Sequence, residues 1–240
     1  MIRNSTAISA AGVPSATSLR IRFATAAAVA TDAFTAPVPV VVVATGTGFA
    51  DALSGGAAAG HHGGPLLLVE GDTLPEATAA ALRALRPLRI VVLGGTAAIS
   101  DAVVGQLVGY ASEGVTRHAG ADRFGTSAAV AAAMFDPADV DSISVATGSS
   151  FPDALAGTPA AVVAGGPVLL VEQDSVPDLV AEQVDRLDVG TVAVLGGPAA
   201  ISDGVAQVLG GMVRDILPDI GRFRDAATTP AMPFAAREAG

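Results

Sequence analysis

Apolar residues in this chain gather into short runs, separated by stretches with helical spacing. Val40-Val41-Val42-Val43-Ala44, Leu66-Leu67-Leu68-Val69 and Ile90-Val91-Val92-Leu93 are three such runs, and residues 142–146, 168–171 and 191–195 are three more. A strand with water on one face alternates apolar and polar residues, whereas a strand buried on both faces is apolar nearly throughout. The six runs therefore predict buried strands of parallel sheets. Residues 75–85 and 177–187 place apolar side chains at i, i+3 and i+4, which predicts helices. The small-residue stretches 49–59 and 151–164 predict two more, with Pro152 in a first turn, where proline is tolerated. The Ala-rich residues 24–30 predict another. Ser100 and Ser202 each precede Asp and an apolar helical stretch, and are expected to cap helices running to about residues 108 and 209. Strand and helix in alternation make a sheet covered on both faces.

The pattern also repeats. At an offset of 102, Ala44-Thr45-Gly46 becomes Ala146-Thr147-Gly148, and Phe49-x-Asp51-Ala52-Leu53 becomes Phe151-x-Asp153-Ala154-Leu155. Gly63-Gly64-Pro65 recurs as Gly165-Gly166-Pro167, and Leu93-Gly94-Gly95 as Leu195-Gly196-Gly197. Of the 27 positions from 44 to 70, 17 are identical at this offset without a gap, which is duplication and not chance composition. A front piece precedes each copy: Ile21-Arg22-Phe23 before the first and Asp122-Arg123-Phe124 before the second. Gly221-Arg222-Phe223 opens a third copy that stops soon afterwards. The fold expected is α/β: two tandem three-layer units with parallel sheets, then the start of a third repeat. The expected limits are residues 1–114, 115–212 and 213–240.

Composition narrows the function. The 240 residues hold 23 acidic side chains against 13 basic ones, all arginine, for a net charge of −10. A chain this acidic lacks the basic stripe of a nucleic-acid binder. Zero Cys excludes disulfides, cysteine nucleophiles and thiolate metal sites. His61, His62 and His118 stand outside any metal spacing, so no metal or cofactor is expected. Apolar residues are 51% of the chain, too many for disorder. The charge-free stretches 33–50 and 52–69 approach the roughly 20 apolar residues of a membrane span. Pro37, Pro39, Gly46 and Gly48 break the first, and Gly63-Gly64-Pro65 breaks the second, so no span is expected. Residues 4–18 show no apolar core of a secretory leader.

Candidate chemistry sits at the strand ends. In open α/β sheets, ligands favour the carboxyl ends of strands, where helices begin. Thr45-Gly46, Thr147-Gly148 and the two Gly-Gly turns fall at such ends. Helix N-termini there suit anions, although glycine after a strand is also ordinary turn chemistry. Asp51 and Asp153 belong to a helix first turn. Their carboxylates can complement the helix dipole, accept hydrogen bonds from sugar hydroxyls, or pair with arginine across a unit boundary. Arg22, Arg123 and Arg222 each precede Phe. In a chain so poor in cations they read either as a local site for phosphate or carboxylate or as Arg–Asp locks between neighbouring units. The candidate ligand-binding residues are Arg22, Thr45, Asp51, Arg123, Thr147, Asp153 and Arg222. No second carboxylate of distinct environment, nucleophile elbow or P-loop accompanies them, so no catalysis is expected.

The second unit reads Gly120-x-Asp122-Arg123-Phe124-x-Thr126, then Ala146-Thr147-Gly148-x-x-Phe151-x-Asp153-Ala154-Leu155. Pro167-x-Leu169-Leu170-Val171 and Leu195-Gly196-Gly197-x-Ala199-x-Ile201-Ser202 follow. Together these motifs resemble the cell wall-binding repeat 2 family. The first unit carries the same motifs from Ala44 to Ser100, without the Gly and Asp of the front. The resemblance implies a Toprim-like or flavodoxin-like sheet. It also implies a noncatalytic, extracellular module of Gram-positive cell surfaces. Such a module anchors by binding an anionic or carbohydrate secondary cell-wall polymer, whether a polysaccharide or teichoic-acid-like. Family members usually pack three repeats about a pseudo-threefold axis, and two are complete here. Apolar surface meant for a third unit should not be left to water, so a homo-oligomer is expected, or a C-terminal arm that covers the gap. The alternative function is a structural assembly scaffold that keeps the repeat without the polymer. The charge of −10 leaves polymer binding to local arginines and helix ends.

Overall fold

The structure, a computed structural model, describes residues 16–150 and 152–217. The first unit runs α1 (Ala16–Ala33), β1 (Val40–Thr45), α2 (Ala50–His61), β2 (Leu66–Val69), α3 (Glu76–Leu85), β3 (Arg89–Leu93), α4 (Asp101–Leu107) and β4 (Val115–His118). The second runs α5 (Arg123–Met134), β5 (Ser142–Thr147), α6 (Pro152–Ala164), β6 (Val168–Val171), α7 (Asp178–Leu187), β7 (Thr191–Leu195), α8 (Asp203–Met212) and β8 (Asp215–Leu217). Each unit holds a four-stranded sheet, in the orders β2-β1-β3-β4 and β6-β5-β7-β8. Every pairing is parallel, with Val42 set between Leu66 and Val91, and Val145 between Leu169 and Val194. The expected two-unit α/β architecture with parallel sheets is therefore the one observed.

The apolar runs are explained by burial on both faces. Side chains alternate across a strand, so Val41, Val43, Ile90 and Val92 join Ala27 and Ala30 of α1, Leu82 of α3 and Val103 of α4 in one cluster. Val40, Val42, Val91 and Leu93 point the other way and meet Ala58 and Ala59 of α2. Strands β4 and β8 were not among the expected strands. Val115-Thr116-Arg117-His118 is polar and only partly buried, and it pairs on one side alone. Both strands follow the expected unit limits after residues 114 and 212, and each joins the sheet that precedes it.

The units meet through α2. Leu53 and Ala57 of this helix share a cluster with Ala146, Ala154, Ala161, Val168 and Leu170 of the second unit. Gly60 permits the approach of α6, because a Cβ there would lie 2.6 Å from the Val162 side chain. Burying one leucine of this kind stabilises by about 1.5–3 kcal/mol.

One local expectation is corrected. Ser100 and Ser202 occupy the positions before α4 and α8, yet neither side chain makes a capping bond. Ser100 Oγ is buried with no partner. The main chain fixes these helix starts instead: Ser100 N–H donates to Gly71 O and Ser202 N–H to Gln173 O, both at 2.8 Å. Helix α4 ends at Leu107 and passes into a 3-10 turn, Val108–Tyr110. The third-repeat start from residue 219, with Arg222, and the arm 228–240 lie outside the described residues. Among the described residues no helix is long and apolar enough to cross a membrane.

Candidate functional site

In each sheet the chain moves to one side of the first strand and then to the other, so the ends of β1 and β3 flank a switch point, where ligands bind in open α/β sheets. A crevice of about 500 Å³ opens there in the first unit. Gly94 and Gly95 after β3 and Thr47 to Phe49 after β1 line one part of it. Asp51 at the start of α2 forms one wall, and Gly120 to Arg123 with Thr126 forms the other. The far wall thus belongs to the front of the second unit.

That front is a helix start built by reciprocal bonds. The Asp122 carboxylate accepts from Gly125 N–H at 2.8 Å, capping α5. Gly120 N–H donates to Thr126 Oγ1 at 3.1 Å. The next two residues clip the helix to its own sheet. The rings of Phe23 and Phe124 lie against Gly46 and Gly148, where a Cβ would stand 2.4 and 2.5 Å from a ring carbon. Arg22 Nη1 donates to Gly46 O, and Arg123 Nη1 to Gly148 O. Arg123 also reaches the first unit, with its guanidinium carbon 5.9 Å from the centre of the Phe49 ring.

Asp51 faces this arginine without an ion pair. The ion pairs among the described residues are Arg83–Glu76 and Arg117–Asp101. The lock between Asp51 and Arg123 that the sequence allowed is therefore not formed in this structure. Burial pushes the Asp51 pKa up, and the positive charge of Arg123 only partly opposes it. No hydrogen bond to the Asp51 carboxylate is formed among the described residues. Its Oδ2 would stand 2.6 Å from a Cβ at Gly94, whose φ of +92° also excludes ordinary side chains. Glycine is thus required twice over at this turn.

The other candidates are distributed unevenly. Asp153 repeats the arrangement of Asp51 beside Gly196, at 2.7 Å from the Cβ position, but it is exposed. Arg22 repeats that of Arg123 on the outer side of the first unit. Thr45 and Thr147 are buried and use their hydroxyls within their own turns. Thr45 Oγ1 accepts from Thr47 N–H and Thr147 Oγ1 from Ser149 N–H, both at 3.2 Å, so Thr47 and not Thr45 reaches the crevice. Arg222 is outside the described residues. The structure therefore brings together Asp51 and Arg123. Sequence reasoning missed Phe49, Asp122 and Thr126 as wall residues. The signal for the last two was the Gly-x-Asp-Arg-Phe-x-Thr string, whose spacing is that of a helix cap. Among the described residues, no group of three or more His, Asp or Glu side chains is placed to hold a metal.

Two recurring crevice walls, built on a repeated α/β unit, define a class of tandem-repeat binding module. The pattern of cell wall binding domain 2 matches residues 21–104 and 117–206, and the chain belongs to that family. It is 32% identical over 157 residues to the amidase enhancer of Bacillus subtilis, covering 65% of this chain and 21% of that protein. It is 28% identical over 161 residues to the N-acetylmuramoyl-L-alanine amidase LytC of the same organism, covering 67% of this chain and 32% of that protein. The chain spans less than a third of the length of these curated relatives. Cwp6 from Clostridium difficile superposes with a TM-score of 0.73 at 26% identity, over 80% of this chain and 30% of that one. Cwp8 from the same organism gives the same TM-score at 21% identity, over 81% and 33%, a likeness of fold.

Proposed function

We propose that this chain is a noncatalytic module that attaches to the bacterial cell wall at the cell surface. Its ligand is an acidic or carbohydrate secondary polymer, held in the crevice between the repeats. The observation that carries the reading is the pair formed by half-buried Asp51 and exposed Arg123, on opposite walls and held apart over a glycine floor. A carboxylate accepts from sugar hydroxyls, and a guanidinium donates in a fixed fork to an acid group. A ligand carrying both kinds of group satisfies both walls. The family description, cell wall binding domain 2, supports the destination.

Cosedimentation with Gram-positive cell walls tests this, before and after hydrofluoric acid removes phosphate-linked polymers. Retention by intact walls that is lost on stripping, and weakened about tenfold or more by Asp51→Asn or Arg123→Ala, is the expected result. A protein left in the supernatant by both walls overturns the reading.

A second reading, self-association as an assembly scaffold, is favoured by one observation. Val29 is 62% exposed and Leu155 59%, whereas their counterparts Val130 and Leu53 are 1% and 4% exposed. Light scattering on the unbound protein decides it, and a monodisperse monomer excludes it.

A further inference from the structure

At the opposite, amino-terminal end of the first sheet lies a second hollow of about 440 Å³. Arg83 and Arg86 at the end of α3, Pro87 and Leu88 before β3, and Tyr110 and Ser112 before β4 line it. Arg83 pairs with Glu76 and sits 3.5 Å from the Tyr110 hydroxyl. Arg86 is exposed and has no ion pair among the described residues. In a protein with a net charge of −10, two arginines beside the only tyrosine are an unusual concentration.

The second unit shows that the fold does not demand them. At the offset of 102, Arg83 becomes Asp185, Arg86 becomes Asp188, and Tyr110 becomes Met212. The backbone is the same in both places. Helices α3 and α7 each end on a left-handed residue, Arg86 with φ 47° and Asp188 with φ 46°. The cap N–H bonds Leu82 O in the first and Val184 O in the second. One turn therefore accepts either charge, and the choice of arginine with tyrosine is specific to the first unit.

We propose that this hollow is a second binding site, for an acidic saccharide. The Tyr110 ring supplies a flat apolar face with a polar tip for a sugar ring. Arg83 and Arg86 supply donors for a carboxylate or a phosphate. The site goes beyond the crevice between the repeats and does not depend on it. Two sites at opposite ends of one sheet let a long polymer engage twice, and the second contact then forms at the high effective concentration set by the first.

The protein carries its own reporter. It has no Trp and one Tyr, so tyrosine fluorescence reads this hollow alone. Oligogalacturonate, a carboxylate probe, and oligomeric glycerol phosphate, a phosphate probe, are titrated against the full chain, with a neutral maltooligosaccharide as control. A saturable change with at least one acidic probe and none with the neutral one is expected. The responding probe identifies the acid group. Arg83→Asp with Arg86→Asp, which installs the second unit's residues on the same turn, should weaken the response about tenfold or more. If that variant melts early, Arg86→Gln read by calorimetry carries the same comparison. A flat titration with both acidic probes, or an unchanged one in the folded variant, overturns the proposal. Wall cosedimentation fails or succeeds separately, so each site is judged on its own readout.

Discussion

Helices α2 and α6 are copies of one sequence in different surroundings. Leu53 on α2 is 4% exposed and its counterpart Leu155 on α6 is 59% exposed. Asp51 is half-buried, and Asp153 is open to solvent. Yet both aspartates meet the same left-handed glycine, Gly94 or Gly196, at nearly the same separation. The turn and the helix start are therefore set within each repeat. Burial is set by what lies alongside, since α2 has α5 and α6 against it. The carboxylate whose pKa is pushed up by burial belongs to the covered helix.

The largest test of this contrast is truncation of the two leucines. Leu53→Ala should cost about 2–5 kcal/mol in urea unfolding. Leu155→Ala should stay within about 0.5 kcal/mol of the parent protein. Similar losses at both positions would break the comparison.

A smaller effect should come from the aspartates. A raised pKa in the folded state means that folding prefers the neutral carboxyl, so ionised Asp51 costs stability at neutral pH. That cost disappears as pH falls through the folded-state pKa. Asp51→Asn should therefore raise Tm by a few degrees near pH 7, with the gain shrinking toward pH 4. Asp153→Asn should leave Tm unchanged. A loss of Tm in Asp51→Asn would mean that the carboxylate is structural.

The smallest effect lies at the other end of α2. His61 rests on the Phe135 ring, with centroids 4.7 Å apart, and the His62 ring stands edge-on to it at 5.1 Å. His62 Nε2 lies 2.8 Å from Met134 O. Burial and then the His62 charge lower the His61 pKa, against the Gly165 hydrogen bond and the charge of Asp139. The unfolded chain therefore binds more protons, and stability falls as pH drops through the ordinary histidine range. His61→Val, the residue type found at position 163, should flatten part of that slope in melts between about pH 7.5 and 5.5. His118, also lowered by burial, leaves some slope behind. An undiminished slope in the variant would assign the effect elsewhere.

The inner strands were legible because both of their faces are covered, which leaves the sequence no polar position to alternate with. Val115 to His118 and Asp215 to Leu217 carry no such mark, since an edge strand is free to hold Thr, Arg or Asp. Asp51 and Arg123 were legible through repetition. Their separation across a crevice was not, because it depends on how the second unit docks, and no local rule encodes that. Thr45 shows the limit from another side. A hydroxyl at a strand end can serve a ligand or its own turn, and here Thr47 N–H claims it. Ser100 had every sequence feature of a cap and does not act as one, because the bond from its main chain to Gly71 already places the helix.

The copied segment and the folded sheet are out of step. Strand β4 completes the first sheet, and the next few residues deliver Arg123 to the crevice. A fragment ending at residue 114 would bare the edge of β3, a template for unwanted pairing. A fragment ending at residue 122 would keep the sheet and lose the arginine wall. Each full crevice is thus a property of a junction and not of a repeat. On the proposed reading, the number of junction crevices open to the polymer grows by one for every neighbour gained, so a lone repeat carries two unmatched halves and no whole crevice.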